Sequence, residues 1–341
     1  MNTENIVLDV AYQPQVRTKR DTKSLMLDVI IAVIPALAVA VWQFGIYQLL
    51  VVLISVASAV LFEWGYRKIM KKDSSIGDLS AVVTGLLLAC TLPCDVAWWL
   101  PIIGSFFAIV VVKQLYGGIG KNFLNPALAG RAFLLASYPV LMTTWTVGNS
   151  YKYALDAATM ATPLTYLYSD GSLPVYFTYK NMFLGMVPGC IGDLSKAAIL
   201  VGFVYLLIRR VISWRIPVSF VGTVAVLSLI FGKAGYSNTE WMVYNILSGG
   251  LLFSSVFMAT DYATSPVTQK GQLLFGFGCG AITMLIRYFG GYPEGVSYAI
   301  MIMNLCTWAI DKAFRRRQFG VSREDIKAEK AAKKAAKKAE V

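Results

Sequence analysis

Thr162 stands directly before Pro163 in the stretch Asp156-Ala-Ala-Thr-Met-Ala-Thr-Pro-Leu164. Proline is favoured at the first position of a helix, and threonine before it is a good N-cap. The Thr162 hydroxyl is therefore expected at a helix N-terminus, where backbone N–H groups and the helix dipole favour a phosphate. An unmodified N-cap accounts for the same residue types. A second stretch, Lys113-Gln-Leu-Tyr-Gly-Gly-Ile-Gly-Lys-Asn-Phe-Leu-Asn-Pro-Ala-Leu-Ala-Gly-Arg131, joins two apolar runs. Its glycines let a backbone approach a flat ligand closely. Asn122 and Asn125, the latter followed by Pro126, offer the donors and acceptors that an isoalloxazine edge needs. A tight turn between membrane spans explains them as well. Val187-Pro-Gly-Cys-Ile-Gly-Asp-Leu-Ser195 and Asp261-Tyr-Ala-Thr-Ser-Pro-Val-Thr-Gln-Lys-Gly271 mix glycine or proline with Asp, Ser and Thr, and each reads equally as a turn.

Other chemistries are excluded by composition. The chain has no histidine, so bis-His haem ligation, His-based metal sites and Ser-His-Asp catalysis are closed to it acting alone. Cys90, Cys94, Cys190, Cys279 and Cys306 lack metal-ligand spacing and read as packed small apolar residues. No GxGxxG follows a strand, so no nicotinamide site is expected.

These stretches need a membrane to position them. The 341 residues are 57% hydrophobic and 15% charged, where soluble domains are about 45–50% apolar and about 25% charged. The surplus requires a lipid-facing exterior. The net charge of +12 comes from clusters between apolar runs and from the C-terminal tail. With no RNA- or DNA-binding motif, this excludes nucleic acid and indicates a device for membrane orientation. Met1 to Thr22 is polar, without the apolar core of a cleavable signal.

The expected fold is an all-α polytopic membrane protein with about ten transmembrane helices, over 25–42, 46–64, 79–93, 97–116, 126–144, 185–208, 217–232, 241–259, 272–289 and 296–313. Residues 1–24 form an N-terminal segment, 25–313 the membrane domain, and 314–341 a basic tail suited to anionic lipid. The basic clusters, with Lys121 and Arg131 counted among them, place both termini in the cytoplasm. Lys152, Lys180, Lys196, Lys233 and Arg287 then lie outside, as does an ordered loop over about 145–183 that contains Thr162. Ten spans divide into two halves of five, and an odd number per half makes any repeat inverted. Glu63, Asp78, Asp193, Asp261 and Asp311 lie near span ends and read as surface or cap residues rather than ion ligands.

In this order, the four stretches resemble the NqrB/RnfD family: the D subunit of Rnf complexes and the B subunit of the sodium-pumping NADH:quinone reductase. The resemblance runs from about Leu25 to Asp311, and takes in Leu86–Pro93 and Pro293-Glu-Gly295…Asn304. The family's attachment motif is similar to Asp-x-x-Ser/Thr-x-Ala-Thr, matched by Asp156, Thr159, Ala161 and Thr162; Met160 stands where members often have glycine. The resemblance implies FMN in a phosphoester bond to Thr162, installed by a separate flavin transferase, on the outer face of a bacterial inner membrane. It also implies a riboflavin or second flavin, non-covalently held, near Asn122, Asn125 and Pro126. The short polar N-terminus favours the Rnf D type. Electrons are then expected to pass between ferredoxin and NAD through partner subunits, coupled to Na⁺ or H⁺ movement. A cofactor-free channel or transporter, a structural anchor and the quinone-reductase relative are the competing expectations.

Overall fold

The computed structural model describes residues 21–73, 75–145, 160–168, 173–233, 235–291 and 294–314. In lipid, backbone N–H and C=O groups must bond within the chain, and helices do this locally. Accordingly no strand forms among the described residues, and the one extended pairing is an antiparallel bridge between Pro93 and Cys190.

The first half consists of α1 (Thr22–Phe44), α2 (Tyr47–Ile69), α3 (Ser80–Cys90), α4 (Leu100–Phe106), α5 (Pro126–Ser137) and α6 (Pro139–Thr143). Helix α4 continues over Phe107–Gln114 with wider π turns, visible where the Leu115 N–H reaches back five residues to Val110. Two short helices follow, α7 (Pro163–Tyr168) and α8 (Tyr179–Leu184). The second half holds α9 (Lys196–Ile208), α10 (Arg215–Ile230), α11 (Asn238–Leu247), α12 (Leu251–Phe253, then π turns over Ser254–Met258), α13 (Gln269–Phe289) and α14 (Val296–Ala313).

Each expected span contains a helix, but they do not cross alike. Among the described residues, helices α1, α2 and α13 are long and apolar enough to cross alone, and α11 with α12 is so only as a pair, bent by 63° at its break. Helix α3 has 11 residues and rises only about 16 Å. The span expected over 185–208 is corrected: residues 185–195 are irregular and the helix begins at Lys196. Pro188, Gly189 and Gly192 break it, as their types suggest. The irregular backbone is satisfied by protein, since Ile191 and Gly192 donate to the Leu92 and Cys90 carbonyls at the end of α3.

The main core joins both halves through Val33, Leu88, Leu128, Ile199, Phe220 and Phe275. Leu53, Val201, Val226, Phe277 and Leu305 are exposed on helix faces, the arrangement lipid demands. Helices α10 and α13 touch through small residues: a Cβ at Gly276 would stand 2.8 Å from the Ile216 carbonyl oxygen. Helices α5 and α14 run in opposite directions. Arg131 of α5 reaches Glu294 beside the start of α14 at 2.7 Å. Asn304 of α14, its amide turned to satisfy its neighbours, accepts from the Asn125 N–H at the start of α5 at 3.2 Å. Each helix start is thus held by the other helix's interior.

Three charge assignments are corrected. Arg131 is no cytoplasmic loop cation: it is 8% exposed inside α5. Glu63 is no cap but is buried against Lys113 at 2.7 Å. Asp193 is likewise buried. Asp78 does cap, accepting from the Ser80 N–H and hydroxyl.

Candidate functional site

The Thr162 hydroxyl accepts from the Thr165 N–H at 3.3 Å and pairs with the Thr165 hydroxyl at 3.0 Å. This is the N-cap geometry expected of threonine before a helix-starting proline. The short helix behind it is fixed at both ends: Met160 donates to the Trp145 carbonyl, Lys233 to the Leu167 carbonyl at 2.6 Å, and Tyr168 to Asn245 at 2.7 Å. Thr162 is buried. Asp156 and Thr159 lie outside the described residues.

Beside Thr162 opens a cavity of about 470 Å³. Met160, Ala161 and Thr165 form one wall, Trp145 and Thr144 another, and Arg131 with Glu294 a charged wall. The volume lies in the range of small-ligand pockets, roughly 300–1,000 Å³. Apolar and aromatic walls, hydroxyls and one guanidinium fit the ring and the phosphate of a flavin nucleotide.

Behind the charged wall the polar groups continue. Glu294 faces Arg131, Asp193 and Arg287. Burial pushes its carboxyl up, and Arg131 opposes that shift. Lys196 donates to the Asp193 and Gly249 carbonyls. Arg287 donates to the Asn245 and Ser248 carbonyls at 2.8 and 3.4 Å. These two cations satisfy the carbonyls freed where α11 breaks from α12.

A second cavity lies near the start of α5. Asn122, Asn125 and Pro126 line it together with Lys113, Thr84 and Asp261. Its volume is about 100 Å³. Asn125 caps α5, accepting from the Ala127 and Leu128 N–H groups and donating to the Met258 carbonyl. Asn122 donates to the Leu124 carbonyl. Gly117, Gly118 and Gly120 all adopt positive φ, between 80° and 116°, so glycine there makes the turn. Burial pushes the Asp261 carboxyl up, against a hydrogen bond from Thr264. The lining chemistry suits a flavin edge, but a tricyclic ring is larger than this space.

Of the residues singled out from the sequence, Ala161 lines the larger cavity with Thr162 buried next to it, and Asn122, Asn125 and Pro126 line the smaller one. Sequence reasoning missed Arg131, Glu294, Lys113 and Asp28. Asp28, buried in α1, accepts from Tyr205 at 2.9 Å and from Arg209 at 3.2 Å. For Arg131, Lys113 and Asp28 the available signal was an acid or base within an apolar run, since such residues are seldom left unpaired; Glu294 lies between two runs.

The model of the NQR2, RnfD, RnfE family matches residues 9–320. The D subunit of the Na⁺-translocating ferredoxin:NAD⁺ oxidoreductase complex of Acetobacterium woodii is 46% identical, over 93% of this chain and 96% of that one. The D subunit of the proton-translocating ferredoxin:NAD⁺ oxidoreductase complex of Clostridium ljungdahlii is 41% identical, over 93% and 97%. The D subunit of the ion-translocating oxidoreductase complex of Escherichia coli is 33% identical, over 92% and 99%.

Proposed function

Because the chain belongs to the NQR2, RnfD, RnfE family, we propose that it is the D-type membrane subunit of an Rnf-type complex, carrying FMN as a phosphoester on Thr162. The complex passes electrons between ferredoxin and NAD and couples this to Na⁺ or H⁺ movement across a bacterial inner membrane. Thr162 faces outward, and both termini are cytoplasmic. Ferredoxin and NAD meet partner subunits rather than this chain, and a flavin transferase installs the FMN. The relatives named for this reaction match over 93% of the chain, which supports the D type over the quinone-reductase relative.

One observation carries the flavin assignment: the Thr162 hydroxyl caps a short, firmly tied helix at the edge of a cavity whose far wall is Arg131. When bound, the FMN supplies one- and two-electron redox chemistry. The chain supplies position. Thr162 would provide the ester oxygen: its hydroxyl proton leaves, the new P–O bond replaces the bond to the leaving group of the transferase's flavin donor, and the contact with the Thr165 hydroxyl is released. Trp145 and Met160 exclude water, and Arg131 provides positive charge. A riboflavin or second flavin beside Asn122, Asn125 and Pro126 is the lesser proposal. It requires the walls of the small cavity to part, and no step is routed through it.

The test is the intact mass of the denatured chain, co-expressed with a flavin transferase, for wild type and Thr162→Val. The wild type gains the mass of one FMN group and fluoresces in the gel; the variant does neither. No gain in the wild type, with the transferase active on a control protein, refutes the assignment. Non-covalent flavin retained by the purified chain, beyond the one covalent FMN, supports the second site.

A further inference from the structure

Five ionisable side chains come together behind the cavity beside Thr162: Arg131, Lys196 and Arg287 as cations, Asp193 and Glu294 as carboxylates. Counted by residue type, three cations stand against two carboxylates. Lys196 and Arg287 have donors committed to backbone carbonyls, and Arg287 makes no ion pair among the described residues. Arginine cannot discard its proton to relieve the imbalance. A buried charge needs a counter-charge.

The cluster touches the Thr162 segment on two sides. Arg131 and Glu294 line the same cavity as Met160, Ala161 and Thr165. On the other side, the Leu164 side chain and an Arg287 nitrogen both lie within 4 Å of where a Cβ at Gly249 would stand.

We infer that this cluster is an anion seat for the flavin's phosphate, with Arg131 as its positioning residue. This deepens the reading that Thr162 carries FMN, and rests on it. A phosphodiester on Thr162 brings one negative charge, which balances the surplus. Arg131 divides its donors between Glu294 and the phosphate oxygens, and so orients the ring in the cavity before and after attachment. Glu294 competes with the phosphate for that guanidinium.

The experiment uses full-length Thr162→Val in lipid nanodiscs, where no ester forms, titrated with free FMN and with free riboflavin and read by fluorescence quenching. FMN is expected to bind more tightly than riboflavin by about tenfold or more, the worth of one charge-assisted hydrogen bond. Adding Arg131→Gln removes the preference. Adding Arg131→Lys retains part of it, and adding Glu294→Gln enlarges it. A variant that merely loosens the fold weakens both ligands alike and leaves their ratio. Equal binding of the two flavins, no binding of either, or a preference that survives Arg131→Gln overturns the inference. The wild-type mass reports separately on Thr162: a flavinylated wild type with any of those results leaves the attachment standing and removes only the anion seat.

Discussion

The two cavities are built from similar residue types yet differ in what those residues are free to do. Around the smaller one, the polar groups are committed to holding the chain: Asn125 caps α5, Asn122 closes a turn and Lys113 is locked to Glu63 and Ser80. Around the larger one, Arg131 and Glu294 meet at an open wall, and the Thr162 hydroxyl is held by one neighbouring residue. Polar residues at membrane depth therefore fall into two kinds. Some repair the backbone where helices stop, and some face a space large enough for a guest.

Experiments can break or sharpen that distinction. The largest effect is expected from Lys113→Met, which leaves Glu63 buried without its cation. Breaking a buried pair costs about 3–5 kcal/mol, read as a lower Tm of the chain in detergent, and Glu63→Gln in the same protein should restore most of it. Next is Asn125→Ala, which removes a helix cap worth about 1 kcal/mol and a bond to the Met258 carbonyl. Its Tm should fall while FMN on Thr162 stays at the wild-type level by mass. Loss of the FMN would show that the two regions act as one site. Thr165→Val, which removes the hydroxyl paired with Thr162 but not the capping N–H, should leave the extent of attachment unchanged. Asn122→Ala is the mildest, about 1 kcal/mol or less, because it removes a single hydrogen bond to the Leu124 carbonyl.

The distinction also marks what the sequence could reveal. Apolar runs and helix breakers are local signals, so the helices and the interruptions at Gly117–Gly120 and Pro188–Gly192 were legible. So was the N-cap at Thr162, because proline fixes the residue before it. The partners of charged residues were not legible. Arg131 and Glu294 are 163 positions apart, and Asp28 and Arg209 181 apart; no spacing rule connects them. Counting Arg131 as a loop cation followed from treating each base as a marker of membrane side, which fails for one buried within a helix. The bent span was missed although Gly249, with its positive φ, and Gly250 mark the break; the side chains that hold it, Lys196 and Arg287, are distant in sequence.

That break bears on how the protein is made. The carbonyls of Asn245, Ser248 and Gly249 are satisfied by Lys196 of α9 and Arg287 of α13. When α11 and α12 leave the ribosome, α9 is already synthesised but α13 is not. Until α13 arrives, two of those carbonyls lack their donor in a medium that offers no water. The bent span should therefore settle late, after α13 inserts, and a chain truncated before Arg287 should be recognised by membrane quality control as unfinished even though most of its helices are present.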